Sequence, residues 1–374
     1  MRKKILYLIY QLVGGGAEKV LVDIANHMDK LLYDITVMTI VDCTKDAHIL
    51  NDNINYKFMF NGKFKEDKLF FKSFNFAQPH FLHEKLVKEK YDIEIAALEG
   101  ISSKIISGCK NFSTKKIAII HADASNIAWP KKQYKNFRQE YESYNNFDKL
   151  IFVSNNTLKR FIEKFDIDLK KTIVMYNPLD MKNIKIKSKE SVNDFHRKQA
   201  ILFCAIGRLE KVKGFDRLIE AFYTIQKKYK NIGLLIIGEG NERNKLTKMI
   251  ANYDLNNKIT LLGYRANPYK YLKDSDCYIC SSRSEGLSTT VIESMILGIP
   301  IISTDCGGMD ELLNNYPDST ICSNDIEGLI RGMEEFLYIN EKENSYINNN
   351  TLKKDNINKF SFDSYFEKLK KIID

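Results

Sequence analysis

The 374-residue chain has no run of about 18 uninterrupted apolar residues, so it offers no candidate membrane-spanning helix. Met1 to Tyr10 has the basic start and apolar run of a secretory leader. Gln11 breaks that run, and Gly14-Gly15-Gly16-Ala17-Glu18-Lys19 stands where a cleavage site would be, so a leader is not expected. The seven cysteines are odd in number and lack framework spacing, which argues against a disulfide scaffold and for a reducing, cytoplasmic setting. Cys277-x-x-Cys280 lies on a short apolar run. Read as a strand, it turns its two thiols to opposite faces, as core residues and not as a redox or metal pair. Metal motifs are equally thin. His80-x-x-His83 lacks a third ligand, and Asp166-Ile167-Asp168 and Asp274-Ser275-Asp276 lack a neighbouring phosphate loop, so no metal or other cofactor is expected. No recognisable nucleic-acid module is present either.

What is present is a chain of two-domain length, 44% hydrophobic and 28% charged, in the range of globular proteins. Strand-length apolar runs alternate with helical patterns, which predicts an α/β fold of two doubly wound, Rossmann-like domains. Strands are expected near 4–10, 35–41, 54–59, 92–97, 116–121, 149–153 and 172–176, with helices at 17–30, 80–90, 100–109, 131–146 and 155–165. Residues 1–178 form the predicted first domain. The polar, Lys-rich stretch 179–199 reads as a linker, 200–358 as the second domain, and 359–374 as a closing amphipathic helix. The net charge of +9 is uneven: residues 1–177 carry 28 Lys/Arg against 21 Asp/Glu. A basic first half suits an anionic partner such as a membrane surface.

The densest signal is Ser281 to Gly298, which includes Glu285-Gly286-Leu287-Ser288-Thr289 and, eight positions after Glu285, Glu293. The apolar runs Cys277–Cys280 and Ile299–Thr304 flank it as strands. A loop opening a helix presents backbone N–H groups and positive dipole, a ready phosphate site. Thr290-x-x-Glu293 also has the form of a capping box, in which Glu293 satisfies a backbone donor; both readings stand. Upstream, Gly207-Arg208-Leu209-Glu210-Lys211-Val212-Lys213-Gly214 follows a predicted strand, and Arg208 and Lys213 can converge on a diphosphate. Gly238 and Tyr264 end the next two predicted strands. In the first half, Gly15 and Gly16 follow the opening strand without the third glycine of a dinucleotide fingerprint, Glu99-Gly100 follows another, and His121 ends the strand Ile117–Ile120. Between 60 and 83, Lys63, Lys65, Lys68 and Lys72 interleave with Phe60, Phe64, Phe70, Phe71, Phe74, Phe76 and Phe81. This reads either as a loop packing its aromatics on the domain or as an element resting on an anionic bilayer, extended by Lys131, Lys132 and Lys135.

Taken in order, Gly-Gly-Ala-Glu, the strand-end His121, Gly-Arg-Leu with Lys-Gly, the E-x7-E pair and the closing helix resemble the retaining glycosyltransferases of family 4, which have the GT-B fold. The resemblance covers essentially the whole chain. It implies transfer of a sugar from a nucleotide-diphosphate sugar, UDP by family frequency, to a glycan or lipid-linked saccharide in bacterial surface polysaccharide synthesis. It further implies catalytic roles for His121, Arg208, Lys213 and Glu285. Gly15, Gly16, Arg208, Lys213, Gly238, Tyr264, Glu285, Gly286, Leu287, Ser288, Thr289 and Glu293 would bind the donor, in a cleft between the domains. Leu287-Ser288-Thr289 departs from the aromatic-Gly common in relatives, which leaves the sugar open. The other readings are a nucleotide-sugar epimerase of similar shape and a non-catalytic, glycan-binding glycosyltransferase-like subunit.

Overall fold

The computed structural model describes residues 2–12, 15–44, 49–61, 73–121, 133–343 and 357–374. Lys63, Lys65, Lys68, Lys72, Phe64, Phe70, Phe71, Lys131, Lys132 and Gly14 lie outside them. The chain divides into two compact units, Met1–Leu179 with Phe360–Asp374, and Asp180–Lys359.

The first unit is built on a parallel sheet of seven strands: β1 (Lys3–Ile9), β2 (Tyr33–Val41), β3 (Asn55–Phe60), β4 (Ile93–Ala96), β5 (Lys115–Ile120), β6 (Lys149–Phe152) and β7 (Thr172–Val174). Their order in space is β3-β2-β1-β4-β5-β6-β7. Central strands buried on both faces read as continuous apolar runs, which is why Ile5 to Ile9 and Ile117 to Ile120 were legible. The helices are α1 (Gly16–His27), α2 (Pro79–Leu86), α3 (Ile101–Ser107), α4 (Phe137–Asn145) and α5 (Asn155–Ile162). α4 starts at Phe137, six residues later than the expected 131, after Asn136, whose side chain accepts the Gln139 N–H and so caps the helix. Leu6, Leu8, Ala96, Ala118 and Phe152 of the strands pack with Ile105, Ile106 and Phe161 of the helices. Phe74 is buried in the same core, whereas Phe76 and Phe81 are exposed. Lys104 of α3 is fully buried, and its ammonium donates to the carbonyls of Phe74, Asn75 and Gln133 at 2.7, 3.0 and 3.1 Å. The C-terminal helix, Phe362–Ile373, lies on this unit: Phe362 stacks on His27 at 3.9 Å, and Lys3 donates to the Ile373 carbonyl at 3.0 Å.

The second unit repeats the plan with six parallel strands: β8 (Ile201–Ile206), β9 (Ile232–Ile237), β10 (Ile259–Gly263), β11 (Cys277–Cys280), β12 (Ile301–Thr304) and β13 (Ser319–Cys322), in spatial order β10-β9-β8-β11-β12-β13. Its helices are α6 (Met181–Lys187), α7 (Phe215–Ile225), α8 (Arg243–Asn252), α9 (Tyr269–Lys273), α10 (Thr289–Leu297), α11 (Met309–Leu313) and α12 (Ile326–Glu343). The expected linker thus opens with a helix. Asp180 caps α6, Ile184 is buried, and Asp194 accepts from Arg265 at 2.9 Å, so a stretch whose lysines read as linker is tied into the second unit. Cys277 and Cys280 are both fully enclosed in the sheet, and neither is disulfide-bonded. Where β8 lies beside β11 the winding of the sheet reverses. In open α/β sheets the crevice at the carboxyl ends of such a strand pair is where ligands bind.

Candidate functional site

The sequence motifs of the second unit meet at that crevice. The turn after β8 carries Arg208 and Lys213, and the loop after β11 carries Ser281 to Leu287. Lys213 Nζ lies 2.6 Å from Glu285 Oε1, which also accepts the Ser282 hydroxyl at 2.6 Å. The two side chains are 22% and 12% exposed, so the pair is shielded from water without being sealed off. Burial works against the Lys213 ammonium, but the charge and hydrogen bond of Glu285 outweigh it and hold the lysine pKa above its ordinary value. Arg208 is more exposed and pairs with Glu210 at 2.9 Å.

Glycines let the backbone close up around these groups. Gly214 has φ +67, and a Cβ there would stand 2.1 Å from the Ser281 carbonyl oxygen. At Gly307, φ +26, it would stand 1.9 Å from the Glu285 carbonyl oxygen. Gly238, at the end of β9, similarly abuts the Gly207 carbonyl, and its N–H donates to Gly263 at 2.9 Å. Tyr264 follows Gly263 and is 69% exposed.

Ser288 caps α10, its hydroxyl accepting the Val291 N–H at 3.4 Å, with Thr289 as the first helical residue and Leu287 buried beside it. The capping-box reading of Thr290-x-x-Glu293 is therefore corrected. Glu293 sits a turn inside the helix, buried, where its carboxylate accepts the Tyr269 hydroxyl at 3.1 Å. Gly286 lies in the loop leading to that N-terminus, whose dipole favours an anion.

In the first unit the sequence candidates line the carboxyl edge of the sheet. The His121 N–H donates to Glu99 Oε1 at 2.6 Å, which ties the end of β5 to the loop after β4. The imidazole lines an apolar pocket with Val20, Leu21, Ala97, Met175 and Tyr365. Burial lowers its pKa to about 4 against an opposing backbone contact from Ala97, so it is neutral near pH 7. Gly15 caps α1, its N–H donating to Glu18 at 2.7 Å, with Gly16 the first helical residue. Gly15 has φ −73, a conformation open to any residue, and a Cβ there would stand 3.3 Å from the Glu18 carboxyl, a tight contact with the end of a flexible side chain.

The acidic motifs serve structural ends. Asp276 accepts the Leu202 N–H at 2.7 Å and pairs with Arg197, and Asp168 caps a short turn. His83 bonds Glu94 at 2.8 Å in a cluster with Cys109, at the opposite end of β4 from Glu99.

Sequence reasoning passed over Ser282, Tyr269, Asp216 and Arg283. Arg283 forks onto Asp216 at 2.9 and 3.0 Å. Sixty-seven residues separate the two, so no local spacing signals the pair.

Comparison with known proteins bears on the family and the fold. Residues 14–183 match the model of Glycosyltransferase Family 4, and residues 187–353 that of Glycosyl transferases group 1. An uncharacterized glycosyltransferase of Methanocaldococcus jannaschii is 38% identical over 170 residues, 44% of this chain and 42% of that protein. The N-acetylgalactosamine-N,N'-diacetylbacillosaminyl-diphospho-undecaprenol 4-alpha-N-acetylgalactosaminyltransferase of Campylobacter jejuni is 26% identical over 365 residues, 92% of this chain and 93% of its own. The crystal structure of Anabaena HepE in complex with UDP superposes with a TM-score of 0.73 at 17% identity, over 98% of both chains. The chain belongs to the family 4 glycosyltransferases, and its two parallel-sheet units are those of the GT-B fold.

Proposed function

We propose that the protein transfers a sugar, with retention of anomeric configuration and without a metal ion, from a nucleotide-diphosphate sugar to a glycan or lipid-linked saccharide of a bacterial surface polysaccharide. The observation that carries this reading is the Lys213–Glu285 pair with Ser282, at the crevice of a sheet edge that also bears Arg208 and the N-terminus of α10. As the bond from the sugar C1 to the diphosphate oxygen breaks, negative charge grows on the departing diphosphate. Arg208, Lys213 and the α10 N-terminus are the groups to stabilise it, in the role a metal fills elsewhere. The acceptor hydroxyl attacks C1 from the leaving-group face, its oxygen forms the new bond, and its proton passes to the departing diphosphate. Glu285 accepts from sugar hydroxyls, Glu293 from the ribose, and neutral His121 helps place the sugar. With Glu285 already on Lys213, the loop stays charge-balanced until the donor arrives.

UDP is the preferred nucleotide on family frequency, and the Campylobacter relative's name supports a lipid-linked acceptor. Contact with an anionic bilayer belongs to the same reading. It is supported by the basic composition of residues 1–177 and by exposed Phe76 and Phe81. No described helix is long and apolar enough to cross a membrane.

The test is thermal stabilisation by a panel of nucleotide sugars and free nucleotides, with and without EDTA, for wild type and Arg208→Ala. Ligand at about a hundred times its dissociation constant adds about 2.7 kcal/mol. A response to one nucleotide series, lost in the variant and indifferent to EDTA, supports the reading. No response to any of them would favour a glycan-binding subunit, and donor interconversion without acceptor would favour an epimerase.

A further inference from the structure

The turn that carries Lys213 is held through three consecutive carbonyls, each of which accepts a bond from the loop that carries Glu285. The Arg283 guanidinium donates to the Lys211 carbonyl, the Arg283 N–H to Val212 at 2.7 Å, and the Ser281 hydroxyl to Lys213 at 2.8 Å. The rest of the guanidinium forks onto Asp216, in the first turn of α7, which also receives Lys245 at 3.3 Å. Behind the loop, Arg217 donates to the Ser281 carbonyl at 3.0 Å, and the Asn324 amide to the Arg283 carbonyl at 3.1 Å. Arg283 and Asp216 are 30% and 18% exposed, so the fork is partly screened from water. A planar guanidinium bonding one carboxylate through two nitrogens fixes direction as well as distance, which a lysine cannot do.

We propose that Arg283, oriented by Asp216, is a positioning residue that sets Lys213 against Glu285 and thereby aims the lysine at the donor diphosphate. The inference rests on the donor-site reading of Lys213 given above. Arg283 already uses its guanidinium on Lys211 and Asp216, so it acts through the turn and does not itself bind phosphate. A ligand phosphate in the crevice then meets an ammonium whose place is set by main-chain bonds on both sides. Displacing such a group by about 1 Å weakens its action on the order of a hundredfold.

The readout is discrimination between nucleoside diphosphate and monophosphate. Calorimetric titration compares UDP with UMP, and GDP with GMP in parallel, for wild type, Arg283→Lys, Asp216→Asn and Lys213→Met. Arg283→Lys and Asp216→Asn should reduce the preference for diphosphate at least about tenfold toward that of Lys213→Met, with monophosphate affinity nearly unchanged. A purely structural role would weaken both ligands alike or lower only the melting temperature, and either result overturns the proposal. Asp216→Asn keeps the backbone bonds of the turn and serves as the test should Arg283→Lys fold poorly. If Lys213→Met itself keeps the diphosphate preference, the donor-site reading fails and takes the inference with it. If Lys213→Met loses the preference while both fork variants retain it, the inference fails alone.

Discussion

Lys213 and Glu285 are 72 residues apart in sequence and 2.6 Å apart in space, and each is the other's charge partner in a site that excludes most water. Removing one member leaves the other charged and poorly solvated. Lys213→Met and Glu285→Gln are each expected to lower stability, by up to about 3 kcal/mol. In activity they should differ. Lys213→Met loses nucleotide diphosphate affinity, whereas Glu285→Gln keeps it and loses turnover. Urea denaturation and nucleotide titration of both variants check this, and equal nucleotide affinity in the two would count against separate roles.

His83 and Glu94 give a pH dependence remote from the site. Burial works against the imidazolium, but hydrogen bonds with Cys109 and Glu94, with the Glu94 charge, raise the His83 pKa to about 9. A raised folded-state pKa stabilises fully below the unfolded value of about 6.5 and is lost as pH rises through about 9, here up to about 3 kcal/mol. Stability of wild type should therefore fall between pH 6.5 and 9 relative to His83→Gln, as measured by chemical denaturation across that range. Parallel curves for the two proteins would refute the coupling.

Gly307 touches the Glu285 carbonyl closely enough that a methyl group has no room, and its φ of +26 is strained for other residues. Gly307→Ala should cost of order 1–3 kcal/mol and displace the Glu285 loop. A melting temperature equal to wild type would show that the loop gives way without penalty.

Glu293 is held by the Tyr269 hydroxyl inside α10. If it receives the ribose, Glu293→Gln should narrow the difference in affinity between UDP and its 2′,3′-dideoxy analogue. Tyr269→Phe removes one donor from a buried carboxylate and should cost about 1–3 kcal/mol of stability. Ribose discrimination that survives Glu293→Gln unchanged would leave Glu293 a purely structural role.

Much of the fold was legible because buried parallel strands are continuous apolar runs. β11 falls at the expected Cys277–Cys280, and β12 begins two residues inside the expected Ile299–Thr304. β13 escaped notice since Ser-Thr-Ile-Cys has a single aliphatic residue and lies at the sheet edge. α12 carried a readable signal, Leu329, Met333, Phe336 and Leu337 at helical spacing, that went unused. The site motifs were readable as glycines and charges at strand ends. Which charge faces which was not: Lys213 could as well have been solvated, and Asp216–Arg283 depends on β8 lying beside β11, which no local pattern states. Glu293 was ambiguous until Ser288 took the cap.

The same adjacency of β8 and β11 has a consequence in time. Two whole strand-helix cycles, through β9 and β10, lie between the strands that must pair to bring the lysine to its glutamate. During synthesis the cationic turn emerges first and waits. Closing so long a loop costs more entropy, and is slower, than pairing parallel strands joined by a single helix. A ligand that needs both groups therefore acts on this unit only once β11 has taken its place beside β8, and it cannot guide the earlier steps of assembly.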